Sequence, residues 1–164
     1  MNNHSKSGAL RAVESRTERT KPRSAPSKLR GTYPISAYMT EAPHSIGVDQ
    51  PLATAHSMMK AHRIRHLPVL RAGKLVGILS QRDLFLVETL RDVDPQRVSV
   101  EEAMTQQTYC VAPSAPLARV AETMATKKFG CAVVMEDDEV VGIFTSVDAL
   151  RALAEVLRDR RVRS

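Results

Sequence analysis

Gly77-Ile-Leu-Ser80-Gln-Arg-Asp83 and Gly142-Ile-Phe-Thr145-Ser-Val-Asp148 are two copies of one pattern, and they lie 65 residues apart in the sequence. Each copy has a glycine, two apolar residues, a hydroxyl residue, two variable positions and an aspartate. Each follows a short apolar run and precedes an apolar segment that could form a helix. The recurrence predicts two equivalent structural units in this chain.

The sequence around the two copies aligns at the same offset without a gap. The matching segments are Met39-Thr40 with Met104-Thr105, Pro51-Leu-Ala53 with Pro116-Leu-Ala118, Met59 with Met124, Val69 with Val134, and Val76-Gly-Ile78 with Val141-Gly-Ile143. A gapless alignment of this length is not expected by chance, so we interpret the chain as an internal duplication.

Each unit is predicted to have the order β-α-β-β-α. We expect a short strand at 44–48 and 108–112, and a helix after Asp49-Gln-Pro51 and Ser114-Ala-Pro116, where a polar cap precedes a proline in the first turn. A hairpin follows, 66–71 with 75–79 and 131–136 with 140–144, and then a closing helix, 84–90 and 149–157. Between the units, Ser99-Val-Glu-Glu102 predicts a capping box that opens a short helix through Met104.

One such unit is too small to bury a sufficient core alone. The sequence therefore predicts an α/β fold in which the two units pack sheet against sheet as one module. The chain has no Trp and few Phe or Tyr, so aliphatic side chains and Met must form this core.

The net charge of +6 is concentrated at the start of the chain. Residues 1–34 contain eight Lys or Arg and two Glu, whereas the remainder is balanced. We predict a disordered basic arm over residues 1–32, which is either a solvated tail or a segment that contacts nucleic acid or an acidic partner. Without interleaved aromatic residues the solvated tail is favoured, and nucleic acid is an unlikely partner. The basic end, 159–164, should continue or fray the last helix.

Neither a membrane span nor a secretory signal is predicted from the apolar pattern. Glu14 and Glu18 also argue against a transit peptide. Cys110 and Cys131 show no metal-binding or disulfide spacing, and we expect small buried thiols in a reducing compartment. These features predict a cytoplasmic protein that does not associate with membranes.

The repeated motif is a candidate binding site. Its glycine allows close approach to the backbone, and Ser80 or Thr145 falls at the N-cap of a helix whose free amides can hold phosphate. Asp83 or Asp148, one turn further, could accept the hydroxyls of a ribose. The alternative is that these side chains only cap helices and favour the helix dipole. The recurrence of the motif after a glycine and a β-rich run favours a site.

The duplicated unit resembles a tandem pair of CBS (cystathionine-β-synthase) domains, also called a Bateman module. The resemblance rests on Gly-h-h-Ser/Thr-x-x-Asp (h, apolar), the Met-Thr at the start of each unit, the Pro-Leu at each first helix, and Ile64-Arg-His-Leu-Pro-Val69. It covers residues 33–157. It implies a pseudo-twofold module with repeat 1 at 33–92, repeat 2 at 93–158, and two clefts.

The resemblance also implies regulation by a ligand, namely AMP, ADP, ATP or another adenosyl compound, without a covalent cofactor. Asp83 and Asp148 would hold ribose, and Ser80 and Thr145 would contact ribose or phosphate. The other implied contacts are Arg65 and His66 for phosphate, and Thr40, Pro43, Ile64 and Phe129 around adenine. The second unit has Gly130 and Cys131 in place of the basic pair. One strong site is therefore expected rather than two equal ones.

We further expect a homodimer that relays ligand binding to an unidentified target protein. No nucleophile, base and acid recur together, so an enzyme is not predicted. His62 and His66 suggest a metal site only weakly, because cationic neighbours would repel the ion. The alternative functions are a ligand-free scaffold for protein interactions and a nucleic-acid-associated regulator that uses the basic arm.

Overall fold

The structure, a computed structural model, describes residues 33–90 and 93–161, without side-chain detail for 159–161. The predicted basic arm, 1–32, lies outside the described residues. The predicted continuation of the last helix into the basic end is confirmed as far as Arg161.

Each unit contains the predicted order β-α-β-β-α, and the first unit has one further short strand, Thr40–Glu41, that was not predicted. A 3₁₀ turn at Ile35–Ala37 leads to β1 (Thr40–Glu41), β2 (Ile46–Gly47), α1 (Leu52–His62), β3 (His66–Arg71), β4 (Lys74–Ser80) and α2 (Gln81–Glu88). The second unit has α3 (Val100–Ala103), β5 (Cys110–Val111), α4 (Leu117–Lys127), β6 (Cys131–Glu136), β7 (Glu139–Thr145) and α5 (Ser146–Arg161). Both predicted hairpins and the predicted α/β class are confirmed. The strands before the first helices are shorter than expected, and the closing helices begin three residues earlier.

The hairpin loops contain two residues each rather than the three we expected. Ala72 and Gly73 have φ angles of 50° and 79°, and Asp137 and Asp138 have 49° and 63°. Two successive positive φ values give the turn that matches the twist of paired strands. Gly and Asp tolerate this conformation, whereas alanine rarely adopts it, so the local sequence favours the second hairpin more strongly than the first.

The N-termini of α1 and α4 are not capped by polar side chains, contrary to our prediction. Each N-cap is a proline, which has no side-chain acceptor, and the proline lies one position before the helix rather than in its first turn. The Leu52 N–H instead donates to the Val98 carbonyl at 2.9 Å, and the Leu117 N–H donates to the Tyr33 carbonyl at 2.8 Å. In both cases the carbonyl belongs to the segment that leads into the other unit.

The leading segments of the two units are exchanged. The strand order is β1-β7-β6-β5 in one sheet and β2-β3-β4 in the other, so β1 of the first unit joins the sheet of the second. Thr40 pairs with Ile143, and reciprocally Thr105 of the second unit bridges Ile78 of the first. The sequence did not predict this exchange.

Two hydrophobic cores show the same exchange. Ile35 is fully buried in the core of the second unit, where it packs among Val120, Ala132 and Phe144. Val100, its equivalent 65 residues later, is fully buried in the core of the first unit. Each core is therefore incomplete without a segment of the other unit.

The short helix α3 begins at the predicted capping box. The Glu102 carboxylate accepts hydrogen bonds from the Ser99 N–H at 3.0 Å and the Ser99 hydroxyl at 3.1 Å. Among the described residues, no helix is both long and apolar enough to cross a membrane.

Candidate ligand-binding clefts

Two clefts lie between the units, with volumes of about 850 Å³ and about 650 Å³. The larger cleft is lined by residues 40–44 and 62–66 of the first unit and by Gly130, Ile143, residues 145–148 and Arg151 of the second. The smaller cleft combines Arg65, His66, Ile78, residues 80–83 and Phe85 of the first unit with Thr105, residues 107–109, 128–131 and Val133 of the second. Each cleft is lined by residues of both units, including residues from the exchanged leading segments at 40–44 and 105–109.

All ten residues singled out from the sequence line these clefts. Thr40, Pro43, Ile64, Thr145 and Asp148 line the larger one, Ser80, Asp83 and Phe129 line the smaller one, and Arg65 and His66 line both. The repeated motif of each unit thus faces the Met-Thr segment and helix end of the other unit.

At the smaller cleft, Ser80 caps α2, as predicted. The Asp83 Oδ2 atom accepts hydrogen bonds from the Ser80 N–H at 3.0 Å and the Ser80 hydroxyl at 2.5 Å. The Asp83 N–H in turn donates to the Ser80 Oγ atom at 3.2 Å. The cap uses one carboxylate oxygen, so capping and ligand binding do not exclude each other at this residue.

At the larger cleft, Thr145 and Asp148 repeat this arrangement at the start of α5. The Asp148 Oδ2 atom accepts from the Thr145 N–H at 2.9 Å and the Thr145 hydroxyl at 2.7 Å. The other oxygen, Oδ1, accepts from Arg151 Nη1 at 3.2 Å. Asp148 is the more enclosed of the two aspartates, with only 6% of its surface exposed. Arg151 was missed by the sequence analysis because no motif marks it.

Arg65, His66 and Gly130 form the wall that the two clefts share. A Cβ atom on Gly130 would lie 2.6 Å from His66 Nε2, so the imidazole occupies the space that a side chain at 130 would need. The basic pair, Arg65 and His66, lines both clefts, and each cleft is lined by three Arg or Lys side chains. The expectation of one strong site rather than two equal ones stays a prediction.

Burial of His66 lowers the pKa of its imidazole below the ordinary value, and the positive charge of Arg65 acts in the same direction. Asp83 opposes this shift because its negative charge favours the imidazolium. Burial of Cys131, which lines the smaller cleft, raises the pKa of its thiol to about 12. Cys110, by contrast, is exposed, because β5 is the edge strand of its sheet, and our prediction that it is buried was wrong.

A pair of stacked rings lies on one wall of each cleft. His44 stacks on His62 in the larger cleft, with ring centroids 3.7 Å apart, and Tyr109 stacks on Phe129 in the smaller cleft, with centroids 5.5 Å apart. His44 and Tyr109 occupy equivalent positions 65 residues apart, and this equivalence could have revealed them from the sequence. The smaller cleft therefore offers an apolar aromatic surface, and the larger cleft offers an imidazole surface.

Basic residues at the ends of the first helices also reach the clefts. Arg63 and Lys128 are equivalent C-cap residues with φ angles of 54° and 59°, and they line the larger and the smaller cleft respectively. The helix α4 ends at Lys127, so Lys128 reaches the cleft from the position just after the helix. Within the described ranges, no group of three or more His, Cys, Asp or Glu side chains could hold a metal ion.

Comparison with known proteins identifies both units. The CBS domain family matches residues 35–88 and 100–155. The CBS domain-containing protein YhcV of Bacillus subtilis is 29% identical over 105 residues, which are 64% of this chain and 74% of that protein. The A-adding tRNA nucleotidyltransferase of Aquifex aeolicus is 36% identical over 97 residues, but the match spans only 11% of that enzyme.

Solved structures of CBS domain pairs share the fold. A structure described as an acetoin utilization protein (AcuB) from Vibrio cholerae has a TM-score of 0.71 at 33% identity, over 81% of this chain and 98% of that one. The CBS domain pair of protein MJ0100, in complex with 5′-methylthioadenosine and S-adenosyl-L-methionine, has a TM-score of 0.70 at 25% identity, over 76% and 98%.

Proposed function

The chain belongs to the CBS domain family, and we propose that it is a regulatory module that binds an adenine nucleotide between its two repeats and relays this binding to a partner protein. The observation that carries the proposal is the position of the repeated aspartates. Asp83 and Asp148 each line a cleft that also contains cationic side chains and the N-terminus of a helix. The related MJ0100 domain pair, which binds two adenosyl compounds, supports this class of ligand.

In the smaller cleft, Asp83 accepts hydrogen bonds from the ribose hydroxyls through the carboxylate oxygen that the cap leaves uncommitted. The stacked rings of Tyr109 and Phe129 provide an apolar surface for the adenine. Arg65 and Lys128, which line the same cleft, neutralise phosphate. Because these groups hold a nucleotide without an attacking or proton-transferring set, we assign the module a regulatory role rather than a catalytic one.

A bound nucleotide would contact both repeats at once. It would therefore favour those arrangements of the two repeats in which its contacts are complete. Since each core already contains a segment of the other repeat, a change at one cleft alters the packing of both units. A partner protein that prefers one arrangement would detect the ligand in this way.

The test is isothermal titration of the nucleotide-stripped protein with AMP and ATP, repeated on Asp83→Ala and Asp148→Ala. Loss of charge-assisted hydrogen bonds to ribose should weaken binding by about 1.5–3 kcal/mol in the affected cleft. Glu102→Ala is a matched control, because Glu102 forms an equivalent capping box with Ser99 outside both clefts. The Glu102 variant should bind as the wild type does.

Absence of binding heat with any adenosyl ligand, from folded protein, would refute the nucleotide proposal. The scaffold function would then be the better one, because α2 and α5 expose apolar side chains. These are Phe85, Leu86 and Leu90 in or beside α2, and Val147, Leu150, Leu153 and Leu157 in α5.

We assign the exposed face of α5 to a second copy of the chain. A twofold interface brings the same patch together from both subunits, so one apolar helix face is sufficient to form it. Leu153 and Leu157 lie one turn apart and are 54% and 53% exposed. Sedimentation equilibrium should show a dimer that Leu153→Glu with Leu157→Glu dissociates, whereas Arg119→Glu on the exposed surface of α4 leaves it intact. A wild-type monomer at all accessible concentrations would contradict the assignment.

A further inference from the structure

The two aspartates of the repeated motif differ in one contact, although their caps are the same. Asp148 Oδ1 accepts a hydrogen bond from Arg151, which lies one turn further along α5 and also lines the larger cleft. The residue equivalent to Arg151 in the first unit is Leu86, which cannot donate a hydrogen bond. Asp83 therefore has no counterpart of this contact from its own helix.

This difference changes how many ribose hydroxyls each carboxylate can accept. An ionised carboxylate offers about four lone-pair positions to hydrogen-bond donors. Asp83 uses two of them for Ser80, which leaves about two, enough for both hydroxyls of a ribose. Asp148 uses three, for the Thr145 N–H, the Thr145 hydroxyl and Arg151, which leaves about one. A ribose can engage Asp148 with both hydroxyls only when Arg151 moves away.

Arg151 is positioned to move. Its side chain is 75% exposed whereas that of Asp148 is 7% exposed, so the guanidinium approaches the carboxylate from the solvent side of the cleft. Water screens the exposed guanidinium, and a long side chain must be held in place, so this ion pair is weaker than one between two buried partners. A second anion within the cleft would therefore compete effectively for the guanidinium, and phosphate accepts paired hydrogen bonds from arginine well.

The number of cations does not produce this difference, because each cleft is lined by three Arg or Lys side chains, and the larger cleft also contains the carboxylate of Glu41 besides that of Asp148. The two clefts differ in the position of one of these cations. In the larger cleft the Arg151 guanidinium is hydrogen-bonded to Asp148, the carboxylate that the ligand needs. Among the described residues, no cationic side chain makes an equivalent hydrogen bond to Asp83.

On the basis of the proposed nucleotide-binding function, we infer that Arg151 determines ligand specificity in the larger cleft. It disfavours adenosine and other uncharged nucleosides, which must displace it from Asp148 without offering it a new partner. It favours adenosine phosphates, whose phosphate oxygens receive the guanidinium as the ribose takes its place. The smaller cleft has no arginine at the equivalent position, so it distinguishes nucleosides from nucleotides less sharply. The two clefts then report different chemical classes of adenosyl ligand.

The test compares adenosine, AMP and ATP by isothermal titration in an Asp83→Asn background. Asparagine at this position retains an acceptor for the cap but removes the negative charge of Asp83, so binding at the smaller cleft is weakened and the heat reports mainly the larger cleft. Arg151→Leu copies the residue of the first unit, and Arg151→Lys keeps the charge without the paired donors. Circular dichroism and thermal melting confirm that each variant is folded.

Arg151→Leu should bind adenosine more tightly and ATP more weakly, so that the ratio of ATP to adenosine affinity falls by about tenfold or more. Arg151→Lys should give an intermediate ratio. The reciprocal variant Leu86→Arg, placed in an Asp148→Asn background, should weaken adenosine binding at the smaller cleft more than ATP binding.

If Arg151→Leu changes the affinities for all three ligands by the same factor, or changes none of them, Arg151 does not determine specificity and the inference is overturned. That result is distinct from failure of the proposed function, in which the wild-type chain and the Asp83→Asn background bind none of the three ligands. The second result would overturn both.

Discussion

Met104 packs against Gly77 so closely that a Cβ atom at position 77 would lie 2.5 Å from the Met104 sulfur. The equivalent pair, Met39 and Gly142, is packed in the same way. In each pair the methionine comes from the exchanged segment of one unit and the glycine from the sheet of the other. The glycine of the repeated motif therefore makes room for the opposite unit rather than for a ligand.

We predict that Gly77→Ala destabilises the protein by about 1–3 kcal/mol, because an added methyl group must displace a packed side chain. Gly77 does not adopt a positive φ, so the loss would arise from packing rather than from backbone strain. The Thr105 carbonyl, 3.1 Å from the added Cβ, limits how far the segment can shift. Urea denaturation measures the change in the free energy of unfolding.

Gly47→Ala is the matched control for this experiment. A Cβ at position 47 would meet only Gln50 Cγ, at an ordinary contact distance of 3.5 Å. Equal losses of stability in the two variants would show that the contact with Met104 is not the cause.

The exchanged segments should also contribute to the stability of the opposite units. We predict that Ile35→Ala costs about 2–5 kcal/mol, as expected for a fully buried isoleucine. Val100→Ala should also destabilise, by less, because fewer atoms are removed. Both variants should still unfold in a single transition in urea, because each core includes a segment of the other unit. Two separate transitions would contradict this account, and Leu90→Ala, at an exposed position, is the control.

The local features of the fold could be predicted from the sequence, whereas the exchange could not. The hairpin turn at Asp137-Asp138 depends only on residues that are neighbours in the sequence. The same holds for the cap formed by Ser80 and Asp83, so both features could be predicted from the sequence pattern. Residues 40–41 and 105 pair with a strand of the opposite unit. Their short sequence does not show which sheet edge they join, because the two units offer equivalent edges.

The candidate site was predicted to a similar extent. The residues of the repeated motif could be named because they recur, but Arg151 could not, since its equivalent is Leu86. His44 and Tyr109 differ chemically and were overlooked for that reason, although both stack on a second ring in their own cleft. The side chains that distinguish the two clefts are not repeated between the units, so the internal duplication does not reveal them.

The two thiols should differ strongly in reactivity. The pKa of Cys131 is raised from 9.0 to about 12 by burial, which lowers its thiolate fraction on the order of a thousandfold at neutral pH. Cys110 is exposed on an edge strand. Iodoacetamide at pH 8 should therefore modify Cys110 first, as peptide mass spectrometry can measure, and should modify Cys131 only after unfolding in urea. Modification of both thiols at similar rates in the native protein would contradict the burial of Cys131.

Gly130 should be required for the position of His66. An alanine there would place its methyl group 2.6 Å from His66 Nε2, so we predict that Gly130→Ala displaces the imidazole from the wall between the clefts. Nucleotide binding should weaken in both clefts, because the same wall lines both. Adding His66→Ala to Gly130→Ala should restore the stability lost by the single variant but not the contribution of the imidazole to binding. A double variant whose losses of stability are the sum of the two single losses would show that the two residues do not clash.

His66 should make the stability of the protein depend on pH in a defined direction. Its pKa is lowered in the folded state, mainly by burial, whereas in the unfolded chain it has the ordinary value of 6.5. As the pH falls below 6.5, the unfolded chain binds a proton that the folded protein resists, so the unfolded state binds more protons and stability decreases. The contribution of the neutral imidazole is therefore complete above pH 6.5 and is lost as the pH falls below that value towards the folded-state pKa. Urea denaturation at pH 7.5 and 5.5 should show a larger loss of stability for the wild type than for His66→Gln, which cannot be protonated. Equal losses in the two proteins would mean that the imidazole does not resist protonation in the folded protein.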